Sequence, residues 1–198
     1  SNLGGALQME GDSSKAVEAY NHSLQLEPSK DAYSNLATSY FYLGQFAAAV
    51  AQYERAAALG EHDHVIQGNL GDALWQVEGR RNEAVARYRR AILLAETELE
   101  ARPADAALHA QLGYYYGRVG DQDQSGRQLS EALAAGPELL YVQYFVGVSA
   151  ADKGDRKTAL QAVTALVRLG FPLALLRSAP EFRSLLQDAE YKKIIGAG

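Results

Sequence analysis

Residues 61–64, Glu-His-Asp-His, are the densest group of metal-ligand side chains in the chain. Two histidines one residue apart, here His62 and His64, can bind a divalent metal when further ligands converge on them. The segment stands at a predicted turn, and a polar turn is more often a plain solvent-exposed link. We therefore predict no metal and no other cofactor, and a metal held at this turn is the alternative.

The sequence contains none of the common signatures of catalysis. It has no cysteine, which excludes disulfide bonds, thiolate zinc sites and cysteine nucleophiles. A phosphate-binding glycine loop, a GxSxG motif and an HExxH motif are all missing. We expect Gly71, Gly113 and Gly147 to serve helix packing instead. The sequence thus predicts a protein that is not an enzyme.

The composition indicates a folded chain that binds neither membranes nor nucleic acids. Hydrophobic residues make up 47% and charged residues 22%, which is enough apolar material for a core. No apolar run approaches the roughly 18 residues that span a bilayer, so we predict a cytoplasmic location. The net charge of -5 disfavours nucleic acid, whose binding needs a basic surface. A protein or peptide of basic or mixed charge is the easier partner.

Five arginines between positions 80 and 90 are a local exception to this acidic balance. They could bind an anionic partner. Glu78 and Glu83 stand among them, and a charged helix face is usually only solvated. Both interpretations stay open at the level of the sequence.

An apolar residue followed by a small one recurs along the chain. The pairs are Leu3-Gly4, Leu36-Ala37, Leu70-Gly71, Leu112-Gly113 and Val146-Gly147. They are 33, 34, 42 and 34 positions apart, and a helical period near 34 is typical of stacked helix-turn-helix units. The sequence predicts an all-α fold of five repeats, at about 1–29, 30–63, 64–105, 106–139 and 140–172. A stacked array has one continuous core, so we expect residues 1–198 to form a single domain.

The second repeat illustrates how each unit should fold. Its first helix is predicted from one stripe of apolar and small residues, Tyr33, Leu36, Ala37 and Tyr40. Gly44 ends that helix in a left-handed conformation. A second stripe, Ala49, Tyr53 and Ala56, predicts the antiparallel second helix. Small residues facing large ones let the two helices approach closely.

Two segments depart from the regular period. The third repeat is eight residues longer, and its second helix is predicted from about Asn82 to Arg102, protruding by about two turns. Residues 173–195 predict a helical cap, because the last unit of an array leaves an apolar face to be covered. The residues predicted to cover that face are Leu173, Leu176, Phe182, Leu185, Leu186, Tyr191 and Ile194.

The order of large apolar residue, Leu-Gly, Tyr, Ala, aromatic, Ala and Pro, in register over five units, resembles the tetratricopeptide repeat (TPR) family. This resemblance implies a right-handed superhelix, an α-solenoid, that binds protein partners. The tail from Gly170 to Ile195 also resembles the closing segment of TPR regions in bacterial multidomain signalling proteins. In those proteins such regions follow kinase, cyclase or DNA-binding domains.

Asn2, Asn35 and Asn69 each directly precede the apolar-small pair of their repeat, and Gln111 continues this series. An asparagine amide has one acceptor and two donors, which can satisfy the backbone of an extended peptide. The series is similar to the asparagine row in the peptide-binding TPR superhelix of the O-linked N-acetylglucosamine transferase. The alternative is that these amides hydrogen-bond across neighbouring helices.

Residues three, six and seven positions beyond these amides should share the same face. Trp75 is the most informative of them, because binding hot spots favour Trp, Tyr and Arg. The predicted peptide-binding residues are Asn35, Thr38, Phe41, Tyr42, Asn69, Asp72, Trp75, Gln76, Gln111, Tyr114 and Arg118.

We therefore predict a noncatalytic interaction module that holds an extended peptide or a partner helix in its concave groove. The alternative is a structural or self-association domain that regulates an attached signalling enzyme or transcription regulator. The chain begins within a repeat and without Met, so we expect a fragment of a longer protein. Its truncated N-terminal end could also form a homodimer.

Overall fold

The computed structural model describes residues 13–196. Asn2, the pair Leu3-Gly4 and the N-terminal end considered for dimerisation lie outside the described residues. Within this range the regular secondary structure is helical, without a strand. The elements are α1 (Ser13–Leu26), α2 (Lys30–Tyr42), α3 (Phe46–Leu59), α4 (His64–Gln76), α5 (Arg81–Ala101), α6 (Ala106–Val119), α7 (Gln122–Ala135), α8 (Leu140–Lys153), α9 (Arg156–Arg168), α10 (Leu173–Ser178), a 3₁₀-helix (Pro180–Leu185) and α11 (Ala189–Ile194).

Consecutive helices pack against each other in pairs, which confirms the predicted all-α fold. The pairs α2–α3, α6–α7 and α8–α9 have the most extensive contacts, and α2 also contacts α4 as α6 contacts α8. The chain divides into two compact units, one ending at Leu94 and the other beginning at Ala95. In the described residues, no helix is both long and apolar enough to cross a membrane.

Glycines let the two helices of a pair come close, as the sequence predicts. A β-carbon on Gly71 of α4 would lie 2.8 Å from Cε1 of Tyr88 on α5, and one on Gly113 of α6 would lie 2.7 Å from Cγ of Leu129 on α7. Both distances are shorter than a normal van der Waals contact. Gly44 has φ +73° and ends α2 in the predicted left-handed conformation.

The same polar contact occurs in two successive repeats. The hydroxyl of Thr38 on α2 hydrogen-bonds the hydroxyl of Tyr53 on α3 at 2.9 Å. One repeat later, the hydroxyl of Tyr88 on α5 donates to the carboxylate of Asp72 on α4 at 2.7 Å. Asp72 follows Thr38 by 34 positions and Tyr88 follows Tyr53 by 35, so these contacts agree with the repeat register that the sequence predicts.

The long second helix of the third repeat is present as α5, from Arg81 to Ala101. Its bounds differ by one residue from the predicted ones. Ala84, Tyr88, Ala91 and Ala95 are fully buried along its inner side, while Leu93 is 60% exposed.

The C-terminal segment covers the end of the last pair, as predicted. The 3₁₀-helix packs on α8, and α11 packs on α9. The residues that it buries are Leu175, Leu176, Ala179, Phe182, Leu185, Tyr191 and Ile195. The prediction was wrong for Leu173, which is exposed, because in two six-residue helices separated by a 3₁₀-helix the buried position shifts to Leu175. Leu186 and Ile194 are half-buried.

Candidate binding face

The predicted peptide-binding residues lie on the first helix of each pair, namely α2 and α4 in the N-terminal unit and α6 in the C-terminal unit. Three of the four on α2 are buried. Thr38 bonds Tyr53 and the carbonyl of Ser34, and the ring of Phe41 lies 5.5 Å from that of Phe46. Tyr42 packs edge-on against Phe41. Asn35 is half-buried, so it is the member of this group on α2 that keeps part of its surface accessible.

Asn69 and Asp72 on α4 are both half-buried. The amide nitrogen Nδ2 of Asn69 is buried and has no hydrogen-bond partner among residues 13–196. An amide donor buried without a partner costs about 1–3 kcal/mol. Because Nδ2 is covered by the protein, only the rest of the Asn69 side chain is accessible to a ligand. Asp72, in contrast, already accepts the hydroxyl of Tyr88.

Trp75 and Gln76 close the same helix and are half-buried. The guanidinium of Arg81 lies 5.0 Å from the centre of the indole ring of Trp75. The ring of Tyr88 packs edge-on against the indole at 6.3 Å. These two contacts hold the indole in place while leaving part of it open to solvent.

The C-terminal unit arranges its predicted residues around an arginine with little exposure. The side chain of Arg118 on α6 is 8% exposed, and its Nε donates to the hydroxyl of Tyr114 at 2.9 Å. Tyr114 is buried against the ring of Phe145 at 5.3 Å. Gln111, one turn before Tyr114, is half-buried. Arg118 and Tyr114 thus hold α6 against α8, and Gln111 keeps accessible surface.

Asp152 on α8 is a part of this cluster that the sequence interpretation did not include. Its carboxylate lies 3.0 Å from Nη1 of Arg118. Burial raises the pKa of Asp152, and the positive charge of Arg118 opposes that rise. Asp152 follows Arg118 by 34 positions, so the repeat period could have placed the two residues at equivalent positions of adjacent first helices.

The histidine-rich turn is built around a helix cap. Asp63 accepts the backbone amides of Val65 and Ile66 at the start of α4, and Nζ of Lys30 lies 2.8 Å from its carboxylate. His64 is buried as the first residue of α4. Across the described residues, no three His, Cys, Asp or Glu side chains come together as a metal site would require.

Comparison with known proteins shows what this helical array is similar to. The family model described as Tetratricopeptide repeat matches residues 31–59, which are α2 and α3. The crystal structure of TTC0263, a thermophilic TPR protein in Thermus thermophilus, has the same fold with a TM-score of 0.60. The two sequences are 20% identical, and the match covers 98% of this chain and 94% of that chain. Residues 31–59 therefore match a tetratricopeptide repeat, and the chain as a whole has the fold of TTC0263.

Other solved TPR-like structures superpose less well. MamA from Desulfovibrio magneticus RS-1 is 19% identical over 83% of this chain and 88% of that chain, with a TM-score of 0.48. A similarity at that level supports no inference about this protein. A search of curated proteins found no match to its sequence.

Proposed function

We propose that this protein is a noncatalytic protein-interaction module, and that the accessible part of α2 and α4 binds an extended peptide. TPR proteins bind protein partners, so the match of residues 31–59 to the tetratricopeptide repeat family supports the general role. The binding mode is inferred from the amides of Asn35 and Asn69 together with the indole of Trp75.

One observation carries the proposal: the same amide side chain occupies the same position of two successive first helices. Asn35 and Asn69 are 34 positions apart, both are half-buried, and their helices contact each other. Two amides one repeat apart can bond the carbonyl and N–H groups of a peptide backbone without reading its side chains. Trp75 would then anchor one apolar or aromatic side chain of the peptide.

The charges on these helices argue for a peptide without a strict charge requirement. Lys30 is bonded to Asp63, and Asp72 to Tyr88. The charged groups of α2 and α4 are therefore largely engaged within the protein. The net charge of -5 favours a basic or mixed segment over an acidic one.

The buried residues of the predicted set support this face from beneath. Thr38, Phe41 and Tyr42 are buried and shape the packing of α2, while Asp72 and Gln76 are half-buried on the same helix as Asn69. In the C-terminal unit, Gln111 offers the equivalent amide, and the contact between Tyr114 and Arg118 orients α6. We propose that Gln111 binds peptide backbone in the same manner.

A selection experiment with random peptides tests this proposal and requires no identified partner. A phage library is selected on the wild-type protein, and the affinity of the best peptide is measured by calorimetry. Asn35→Ala combined with Asn69→Ala should weaken that affinity by about tenfold or more, because each lost amide leaves peptide groups unpaired.

The matched control replaces two asparagines on second helices. Asn21 on α1 and Asn82 on α5 are both exposed, so Asn21→Ala combined with Asn82→Ala should leave the affinity unchanged. Circular dichroism checks that both variants are folded. The proposed role of Asn35 and Asn69 would be wrong if no peptide could be selected. It would also be wrong if the two double variants bound the selected peptide with equal affinity.

A further inference from the structure

The outer surface of α5 carries a regular stripe of exposed residues. The α5 stripe consists of Asn82, Ala86, Arg89, Leu93, Glu96 and Glu100, all of which are exposed. Their spacings alternate between four and three, which keeps them on one side of a helix and is the spacing of a helix–helix seam. The opposite side of α5 is occupied by the buried Ala84, Tyr88, Ala91 and Ala95.

Leu93 lies at the middle of this stripe with 60% of its surface exposed. Ala86, two turns earlier, is small enough to let another helix come close. A single exposed leucine is ordinary on a protein surface, so the inference depends on the small Ala86 and on the charges that accompany Leu93 along the stripe.

The charges around Leu93 have opposite signs on its two sides. Arg89 stands one turn before Leu93, and Glu96 one turn after it. Among residues 13–196, no carboxylate lies within ion-pair distance of Arg89. Glu96 accepts the hydroxyl of Tyr116 and remains exposed. The first half of the helix carries arginines at 81, 87, 89 and 90 with Glu83 among them, and the second half carries glutamates at 96, 98 and 100.

The charges of the α5 stripe are complemented along its whole length only by a helix that places acidic residues opposite Arg89 and basic residues opposite Glu96 and Glu100. A uniformly acidic helix would oppose Glu96 and Glu100, and a uniformly basic one would oppose Arg89. A second copy of α5, turned antiparallel by a two-fold axis near Leu93, has the reverse order. Arg89 and Glu96 lie on the same flank of the stripe, at about 80° and 60° around the helix when Arg81 is set to zero. The two-fold axis therefore brings Arg89 of each copy opposite Glu96 of the other.

We propose that this protein forms an antiparallel homodimer through the α5 stripe, with Leu93 of the two copies in contact and Arg89 paired with Glu96 twice. This surface differs from the truncated N-terminal end, which the sequence analysis considered for dimerisation, and from the proposed peptide-binding face. A contact of one helix with another is small, so the dimer is a weak one that forms as concentration rises.

Charge reversal gives a direct test by sedimentation velocity over a series of protein concentrations. The wild-type protein should pass from monomer to dimer as concentration rises. Arg89→Glu or Glu96→Arg should each raise the dimer dissociation constant by about tenfold or more, because two like-charge contacts replace two favourable ones. The doubly substituted protein carries both reversals and should dimerise like the wild type.

Mixing the two single variants gives the sharpest result. Each variant alone dimerises poorly, yet a mixed pair has opposite charges at both contacts, so the mixture should form a heterodimer.

The apolar contact is tested by Leu93→Arg, which should abolish the dimer. Its control is Leu59→Arg on α3, where the leucine is 57% exposed and the substitution should have no effect on the dimer. Circular dichroism establishes that each variant is folded.

Three results would overturn the proposal. One is a wild-type protein that stays monomeric at every concentration. Another is a dimer that persists unchanged in Arg89→Glu and in Leu93→Arg, which would place the interface elsewhere. The third is a mixture of the two single variants that stays monomeric while each component is folded.

Discussion

Gly71 permits the close approach of α4 and α5, because any β-carbon there would lie 2.8 Å from the ring of Tyr88. That ring cannot easily swing away, since its hydroxyl is bonded to Asp72. We predict that Gly71→Ala lowers the free energy of unfolding by about 1–3 kcal/mol, measured by urea denaturation.

Gly126 supplies the matched control for this prediction. It lies within α7, and a β-carbon there would meet no atom within 4 Å. Gly126→Ala should stabilise the protein by up to about 1 kcal/mol, since alanine is the better helix former. The explanation by close packing would be wrong if both substitutions changed stability in the same direction.

Asp63 links the cap of α4 to Lys30 and makes part of the stability depend on pH. Burial pushes the pKa of Asp63 upward, but hydrogen bonds from Lys30 and from the amide of Ile66 outweigh it and hold the pKa below its ordinary value. A lowered pKa means that the ionised carboxylate stabilises the folded state above about pH 4. That contribution is lost as the pH falls through the lower, folded-state pKa.

We predict that Asp63→Asn lowers the free energy of unfolding by about 0.5–1 kcal/mol at neutral pH, and that this difference shrinks as the pH falls below about 4. Asparagine still caps a helix, so the substitution isolates the charge. The effect is modest because Lys30 is 42% exposed. Urea denaturation at both pH values measures it, with Glu61→Gln at the same turn as the control. An equal loss at neutral and acidic pH would contradict the role of the ionised carboxylate.

At the scale of elements, the sequence predicted the helices better than their side-chain contacts. The 42-residue interval predicted the long helix α5 to within one residue. The same periodicity does not predict that Phe41 is buried. Phe41 lies at the edge of a helical stripe, and the burial of such a residue depends on which side chain of the neighbouring helix packs on it, here Phe46. Tyr114 is a similar case, since Phe145 of the next repeat packs on it.

The C-terminal cap is an element that a single hydroxyl helps to hold. Tyr191 of α11 is buried, and its hydroxyl donates to the carbonyl of Leu176 in α10 at 2.8 Å. Burial raises the pKa of Tyr191, which keeps the hydroxyl protonated and able to donate. The cap thus has a polar contact inside its apolar interior.

We predict that Tyr191→Phe lowers the free energy of unfolding by about 1 kcal/mol and speeds hydrogen exchange of the amides of α10 and α11. Tyr40→Phe is the control, because among the described residues the hydroxyl of Tyr40 makes no hydrogen bond, and its loss should change stability by less than about 0.5 kcal/mol. Unchanged exchange in the cap of Tyr191→Phe would show that apolar packing alone holds it.

At the scale of the whole molecule, the two kinds of interaction use different surfaces. The amides of Asn35 and Asn69 lie on first helices, whereas the α5 stripe lies on a second helix. Peptide binding and self-association should therefore be separable by substitution. A single domain over residues 1–198 stays a prediction, as does a cytoplasmic location.

The fluorescence of Trp75 gives the most direct measurement of the central claim, because it is the only tryptophan in the chain and stands in the proposed peptide-binding face. Titrating the selected peptide, chosen without tryptophan, should shift the emission to shorter wavelength as the peptide excludes water from the indole. The shift should saturate at the dissociation constant found by calorimetry. Emission that stays unchanged while calorimetry reports binding would place the peptide elsewhere and contradict the account.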